Sequence, residues 1–385
     1  MARSKAATPK VEKKRRSGLQ RFVGALVLLV DFVAVCALAL TGYAGYVSPL
    51  QNGGIWGVFP LAFPIVLFGC VCLLVLQLFF YRRGLCLLIP CMLMCAGPIL
   101  KVSPFNFRTP KVPEGAETFT FLTYNVHNFV PSSARTISID DDEDVPQLEY
   151  VINTDADIVC LQEASQLISL PKKSKARQLA NKLMEKYKHV HVDGKELAVL
   201  SKYPIESIHL DANSDNFKGG HVTCFRITMP SGRLVTLFNV HLESMKLGYD
   251  DRDMYVQMTE LQRPSIADVK NQILKKISQA AVNRAQQAQQ LLRYIRLYGG
   301  PDVIISGDFN DVPGCYTINT LADAGFKSVY PTVGFGPMNT FNASRMFFCI
   351  DHTLFRGAIK PIDMTKGRIK ASDHYPLVTR FYIDK

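Results

Sequence analysis

The residues best suited to chemistry in this chain stand where short apolar segments end. Ile304 to Asp311 reads Ile-Ile-Ser-Gly-Asp-Phe-Asn-Asp, which is typical of a buried strand that emerges into a site. Asp308 and Asn310 are two residues apart, so an extended backbone points both side chains to one face. A carboxylate and an amide would then meet there, either in a site or at the start of a turn.

Polar residues end other predicted strands as well. The full set is Asn125, Glu163, His241, Asp308, Asn310, Asp351, Asp373 and His374. Their concentration at strand ends indicates one site rather than scattered turns. No Gly-rich phosphate loop accompanies them, and Ser306 lacks the glycine pattern of a nucleophile elbow. The remaining groups are hard oxygen ligands and imidazoles, which suit Mg²⁺ or Mn²⁺ better than zinc.

The elements that must position these residues are mostly strands. Apolar patterning predicts strands at 118–125, 158–162, 197–201, 205–210, 221–229, 234–243, 347–355 and 377–383. Helical spacing predicts helices at 147–153, 175–187, 265–297 and 316–324. In the strand 234–243, Asn239, His241 and Glu243 share a face.

Three connections between these elements have distinctive compositions. Residues 101–117 contain three prolines and are predicted to be a linker. The acidic run 140–144 is either a solvated loop or a rim that attracts cations. Residues 244–264 are polar and longer than an ordinary connection, so they form a candidate lid.

The first hundred residues hold long apolar segments. Residues 22–47 and 55–81 each exceed the roughly 20 residues that cross a bilayer. A third segment, 84–100, contains Pro90 and Pro98, and it either spans or re-enters. Asp31, an acid within the first segment, is either functional or paired with a neighbouring helix.

Basic residues predict the orientation of these segments. The tail 1–21 has eight Lys or Arg and one Glu, a balance of +7, and Arg82 and Arg83 separate the second and third segments. The positive-inside rule makes both regions cytoplasmic. The first segment is too long for a cleaved signal peptide, and a second span follows at once. With a third crossing, the chain is predicted to be a multi-pass protein of a bacterial inner membrane, with residues 101–385 on the extracytoplasmic side.

Charge and cysteine content weigh against two classes of partner. Of the net charge of +11, residues 1–21 carry +7 and 22–100 carry +1, which leaves +3 for 101–385. This balance gives little support to a basic track for nucleic acid. The cysteines after residue 100 form no CxxC pair, so zinc is not indicated. Cys160 and Cys224 are predicted to be core residues.

Six short motifs carry a resemblance to a known family. They are Thr123-Tyr124-Asn125, Leu161-Gln162-Glu163, Asn239-Val240-His241, Gly307-Asp308-Phe309-Asn310, Ile350-Asp351-His352 and Ser372-Asp373-His374. With these motifs in order, residues 118–385 resemble the endonuclease/exonuclease/phosphatase superfamily of DNase I-like, metal-dependent phosphodiesterases. The resemblance implies an α+β fold, a two-sheet β-sandwich flanked by helices, here preceded by an N-terminal transmembrane helical region.

The resemblance also implies a metal site. Glu163 would be the principal ligand, with Asn125 and Asp373 close to the ion, which would be Mg²⁺ or alternatively Mn²⁺. Some relatives carry an acidic residue where this chain has His127, so the resemblance does not carry a second ligand over to that position. We interpret His127 and His352 as structural.

The same resemblance assigns catalytic roles. Asp308 would orient or deprotonate the attacking water, and Asn310 would hold the scissile phosphate. His374, oriented by Asp351, would contact the phosphate, and His241 would contribute a second imidazole.

These observations predict a membrane-anchored, Mg²⁺-dependent phosphoester hydrolase, either a nuclease or a phosphodiesterase. One alternative is a sphingomyelinase-like or inositol-phosphatase-like hydrolase of headgroup phosphates, which fits the membrane tether. An alternative from another class is a non-catalytic membrane-anchored module that binds a phosphorylated ligand. The expected partners are the lipid bilayer and a phosphoester substrate, either nucleic acid or a headgroup phosphate.

Overall fold

A computed structural model describes residues 18–131, 139–140, 142–193, 195–210, 217, 219–245, 266–343 and 346–384. Residues 1–17 of the basic tail, Asp141 of the acidic run and residues 246–264 of the candidate lid lie outside the described residues.

The described α-helices are α1 (Gly18–Tyr43), α2 (Phe59–Phe80), α3 (Leu85–Met94), α4 (Ala96–Val102), α5 (Pro146–Thr154), α6 (Lys175–Lys186), α7 (Ile266–Tyr298), α8 (Tyr316–Asp323) and α9 (Val329–Val333). The strands are β1 (Glu117–Asn125), β2 (Ile158–Gln162), β3 (His189–Val192), β4 (Ala198–Ser201), β5 (Ile205–Ile208), β6 (His221–Thr228), β7 (Leu234–His241), β8 (Val303–Asp308), β9 (Lys327–Ser328), β10 (Phe341–Ala343), β11 (Met346–Phe348), β12 (Asp351–Arg356), β13 (Ile359–Lys366) and β14 (Leu377–Ile383).

Two six-stranded mixed sheets form a sandwich, which confirms the predicted fold class. The first sheet has the order β13-β14-β1-β2-β4-β3, and the second has the order β5-β6-β7-β8-β12-β9. Parallel pairing joins β1 to β2 and β7 to β8. Between the sheets lies a core of buried apolar side chains, among them Phe119, Phe121, Phe225, Ile304 and Phe381. Alternate side chains of each strand point into the space between the sheets, so apolar strands build this core.

Helices cover the outer faces of both sheets. Leu148 of α5 and Leu183 of α6 pack in one buried cluster with Leu161 of the first sheet. Leu291 of α7 packs with Phe238 of the second sheet. The helix predicted at 265–297 is observed as α7, because its apolar stripe at helical spacing has a sheet face to cover.

The observed strands around β12 and β13 differ from the predicted ones. The strand predicted at 347–355 is two strands, because the backbone N–H groups of Ile350 and Asp351 donate to Thr340 Oγ1 rather than to a neighbouring strand. Strand β13 was not predicted, since Pro361 cannot donate in a ladder. It is tolerated because β13 lies at a sheet edge and its register shifts between Pro361 and Asp363.

We call residues 18–102 the helical region. Gly18–Tyr46 and Asn52–Phe80 are long and apolar enough to cross a membrane, while α3 and α4 are bent by 68° at Cys95 and qualify only as a joined pair. Asp31 of α1 and Gln77 of α2 are buried against each other, and the Gln77 amide donates to the Asp31 carboxylate. Asp31 therefore pairs with a neighbouring helix.

The bent pair α3–α4 runs along the α1–α2 hairpin from one end to the other. Gly84, just before α3, packs against Gln77 near the end of α2. Lys101, in the last turn of α4, donates to the hydroxyl of Tyr46 just beyond α1, at 2.9 Å. The chain thus leaves the helical region at the end where α1 stops and α2 starts.

Candidate active site

The strand ends that carry the predicted site residues meet at one pole of the sandwich, which we call the site pole. Strands β1, β2, β7 and β8 finish at this pole. Strand β12 is antiparallel to β8 and starts there with Asp351, paired with Asp308. Strand β14 is antiparallel to β1, so Asp373 and His374, which precede it, also lie there. The structure therefore brings together all eight predicted site residues.

Asp308 lies at the centre of the site and is 1% exposed. Its Oδ2 accepts a hydrogen bond from Asn125 Nδ2 at 3.1 Å and lies 3.5 Å from His374 Nε2 and 3.7 Å from His241 Nε2. Its Oδ1 accepts from the backbone N–H of Asn310 at 2.8 Å. Burial raises the pKa of Asp308 to about 6, although the two imidazoles oppose that rise.

Asp351 orients His374. Its Oδ2 lies 2.8 Å from His374 Nδ1, and both side chains are buried. Burial alone would lower the pKa of His374, but Asp351 and Asp308 hold that pKa well above its usual value, which favours the imidazolium form. Ligand atoms of Asp308, Asp351 and His374 lie within 4.8 Å of one another, which makes this trio a possible metal site. Because both ring nitrogens already face carboxylates, we interpret the trio as charge-paired.

Glu196 orients His241, and sequence reasoning missed it. Glu196 Oε2 lies 2.6 Å from His241 Nδ1, and its Oε1 lies 3.7 Å from His221 Nε2. Burial would lower the pKa of His241, but Glu196 and then Asp308 raise it to about 9. Glu196 precedes β4 in a turn 45 residues before His241. No signal in the sequence links the two residues.

Glu163 and Asp373 converge on the imidazole of His127. His127 Nδ1 lies 3.5 Å from Glu163 Oε2 and 3.6 Å from Asp373 Oδ1. Burial raises the pKa of Glu163, but His127 and then His241 lower it to about 2. The hydrogen bond to Glu163 raises the pKa of His127. The sequence favours a structural role for His127, whereas the structure places its ring against two predicted metal ligands.

Left-handed backbone turns His127 into the site. His127, Asn128 and Phe129 have φ values of 48°, 51° and 63°. Such a conformation costs on the order of 1–3 kcal/mol at each non-glycine residue and concentrates at functional sites. The backbone N–H of His127 donates to Asn125 Oδ1 at 3.1 Å, which fixes the loop to the end of β1.

The two asparagines are both held by hydrogen bonds. Asn125 Nδ2 also donates to Glu163 Oε1 at 2.9 Å, so its amide nitrogen joins Glu163 to Asp308. Asn310, with a φ of 50°, donates from Nδ2 to the carbonyl of Leu242 at 3.0 Å. As placed, Asn125 is a positioning residue, and its role as a metal ligand stays a prediction.

Buried polar side chains join the two sheets beneath the site. Gln162 Nε2 of the first sheet donates to Asn239 Oδ1 of the second at 2.7 Å, and Asn239 Nδ2 donates back to the carbonyls of Leu161 and Ala198. Elsewhere at the pole, His352 Nε2 lies 2.8 Å from the carbonyl oxygen of Asp311, in keeping with a structural role. These contacts fix the relative position of the strand ends.

Comparison with known proteins identifies the family. The Endonuclease/Exonuclease/phosphatase family matches residues 122–374, which is more than half of the chain, and the chain belongs to that family. Its members are phosphoester hydrolases that generally depend on divalent metal ions. No curated protein matches the chain.

Solved structures of low identity resemble the chain. An endonuclease/exonuclease/phosphatase from Beutenbergia cavernae is 16% identical, with 69% of this chain and 72% of that chain covered and a TM-score of 0.46. One from Bacteroides vulgatus is 13% identical, with 70% and 100% covered and a TM-score of 0.44. ANGEL2, a 2′,3′-cyclic phosphatase, is 14% identical, with 71% and 97% covered and a TM-score of 0.44.

Proposed function

We propose that this chain is a membrane-anchored phosphoester hydrolase that uses a divalent metal ion. The observation that carries the proposal is the burial of the Asp308 carboxylate between the imidazoles of His374 and His241. A buried carboxylate with a raised pKa is suited to accept a proton near neutral pH. Fixed imidazolium groups are suited to neutralise the charge of phosphoryl oxygens.

The proposed reaction is attack of water on phosphorus. Asp308 takes a proton from the water as the new bond to phosphorus forms. The bond from phosphorus to the leaving oxygen then breaks, that oxygen takes up a proton from the solvent, and Asp308 returns its own proton to the solvent. The positive charge of His374 and His241 neutralises the non-bridging oxygens, and Asn310 holds the phosphate through the N–H that Leu242 does not use. The whole step involves no oxidation or reduction and consumes one water.

The donor set of Glu163, Asp373 and His127 fits a divalent metal ion. Two carboxylates converge on one imidazole nitrogen, and a cation between these groups would relieve the repulsion of the carboxylates. Such an ion supplies positive charge that stabilises the phosphoryl transition state. Carboxylates suit Mg²⁺, and an imidazole nitrogen shifts the preference toward Mn²⁺.

We also propose that the chain is a multi-pass protein of a bacterial inner membrane with the sandwich on the extracytoplasmic side. The exposed apolar side chains of α1 and α2, such as Phe22, Phe32, Phe68 and Phe79, support a lipid environment. The sandwich contacts the connection between α1 and α2, which carries no charge between residues 48 and 54. Arg82 and the basic tail would lie on the other side.

Asp308→Asn is expected to lower the rate of bis-p-nitrophenyl phosphate hydrolysis by about 10²–10⁴-fold, because an amide cannot accept the proton of water. The assay measures release of p-nitrophenolate by the purified full-length chain with Mg²⁺ or Mn²⁺. Asp323→Asn, on the exposed surface of α8, is the matched control and should leave the rate unchanged. No turnover by the unaltered chain would favour the non-catalytic module. Equal rates for the unaltered chain, Asp308→Asn and Asp323→Asn would exclude Asp308 as the group that accepts the proton of water.

Mn²⁺ bound to the protein is expected to show ¹⁴N coupling in electron spin echo spectra, because His127 would supply a nitrogen ligand. His127→Asp should remove this coupling while the protein still binds Mn²⁺, since a carboxylate takes the place of the imidazole. His189→Asn, in β3, is the control and should keep the coupling. Coupling that persists in His127→Asp would assign the nitrogen to another imidazole and contradict the donor set.

The topology is tested by reporters fused at two positions. Alkaline phosphatase, which needs the oxidising periplasm, should be active after Lys385 and inactive after Arg83. A fluorescent protein that matures only in the cytoplasm should give the opposite pattern. Alkaline phosphatase that is inactive after Lys385, with fluorescence there, would place the sandwich inside the cell.

A further inference from the structure

The helical region contacts the sandwich at the site pole. A Cβ on Gly45, in the connection between α1 and α2, would lie 1.8 Å from the carbonyl oxygen of Gly314, so the two backbones touch. Gly314 belongs to the loop that leaves the site directly after β8. Leu61 of α2 packs in one apolar cluster with Val312 of the same loop and with Phe341 of β10. The Phe341 ring centroid is also 5.0 Å from that of the site residue His374.

A second contact, through α7, reaches the same pole. A Cβ on Gly57 would lie 2.3 Å from Cβ of Ala281 in α7. One turn further along α7, the buried Arg284 lies 3.4 Å from the carboxylate of Asp311, which follows Asn310 in the site loop. The part of α7 that contacts the helical region is therefore level with the site.

The path of the chain between the two regions agrees with these contacts. Helix α4 ends at Val102, and the chain then runs along the side of the sandwich, where Phe105 forms a β-bridge with Phe335. Strand β1 begins at Glu117, at the pole opposite the site, and returns to end at Asn125. The strand ends that carry the site residues therefore point toward the helical region.

An exposed aromatic ring on the segment that follows α4 contacts a second exposed ring, which lies just after α9. Phe107 is 83% exposed and Phe335 is 58% exposed, and their ring centroids are 5.2 Å apart in an edge-to-face contact. Phe107 is five residues from the end of α4. Exposed apolar rings this close in sequence to an apolar helix match the aromatic residues that anchor proteins in the headgroup layer of a bilayer.

We infer that the site opens at the surface of the bilayer that holds the helical region, and that its substrate is the phosphoester headgroup of a lipid in that same bilayer. The inference rests on the proposed hydrolase function, and water adds to the lipid phosphorus as one of its P–O bonds breaks. Residues 101–385 carry only +3, and a nuclease would need positive charge along several phosphates. A shared bilayer supplies the substrate at a high effective concentration without such a track.

The test compares lipid in the same bilayer with lipid in another bilayer. The full-length chain is reconstituted with its metal ion in vesicles of phosphatidylcholine, phosphatidylethanolamine, phosphatidylglycerol and a phosphatidylinositol phosphate in equal parts. Protein-free vesicles of the same lipids in deuterated form are added, together with bis-p-nitrophenyl phosphate. Mass spectrometry of the lipid and aqueous fractions should detect hydrolysis of at least one lipid. The unlabelled form, which shares the bilayer of the protein, should be consumed at least about tenfold faster than the deuterated form in the other vesicles.

The outcomes separate this inference from the function beneath it. Hydrolysis of bis-p-nitrophenyl phosphate without loss of any lipid, or with equal loss from both vesicle populations, would overturn the inference and leave the hydrolase function standing. Preferential cleavage of an added single-stranded DNA would do the same. No hydrolysis of bis-p-nitrophenyl phosphate would overturn both.

Two substitutions outside the site test how the sandwich is oriented relative to the bilayer. Phe107→Ser should slow lipid hydrolysis several-fold, because it removes an apolar ring from the face next to the bilayer. Leu234→Ser replaces an exposed apolar residue at the start of β7, at the pole opposite the site, and should leave lipid hydrolysis unchanged. Both variants should hydrolyse bis-p-nitrophenyl phosphate at the original rate. Equal lipid rates for the two variants would contradict the placement of the Phe107 face at the bilayer.

Discussion

The burial of the Asp308 carboxylate is the constraint on which the rest of the site depends. A buried carboxylate is costly unless cations and hydrogen-bond donors surround it. Its partners are His241 at the end of β7, His374 before β14 and Asn125 at the end of β1. Because these partners come from both sheets, the sandwich must hold its strand ends within hydrogen-bonding distance across one pole. Glu196 and Asp351 then keep the two imidazoles charged and correctly turned.

The fold class and the main site residues could be predicted because their signals are local. A strand can be recognised from a few consecutive residues, either by alternation or by a short apolar run. A polar residue at its end, such as Asp308, lies in the same segment. Glu196 could not be found this way, since its partner His241 is 45 residues away. His127 was misjudged because its direction depends on three successive left-handed residues, which side-chain propensity does not predict. Strand β13 was missed because Pro361 argues against a strand wherever the sheet edge is unknown.

The helical region and the site share one end of the molecule. The loop that follows β8 carries Asn310 at its start and rests on the connection between α1 and α2 at Gly314. In the helical region, Asp31 and Gln77 bury their polar groups against each other between α1 and α2. If the helical region is held in a bilayer as proposed, this arrangement would keep a fixed distance between the site and the bilayer surface. We propose that this distance, rather than a charged track, selects the substrate.

The central claim is that Asp308 and its imidazole partners act as one unit on water and phosphate. A double-mutant cycle with Asp308→Asn, His374→Gln and both together, read as kcat/KM on bis-p-nitrophenyl phosphate, tests that claim most directly. Residues that act as a unit are strongly non-additive, so the double variant should be no more than about threefold slower than the slower single variant. Effects that multiply in the double variant would show two independent contributions and contradict the account.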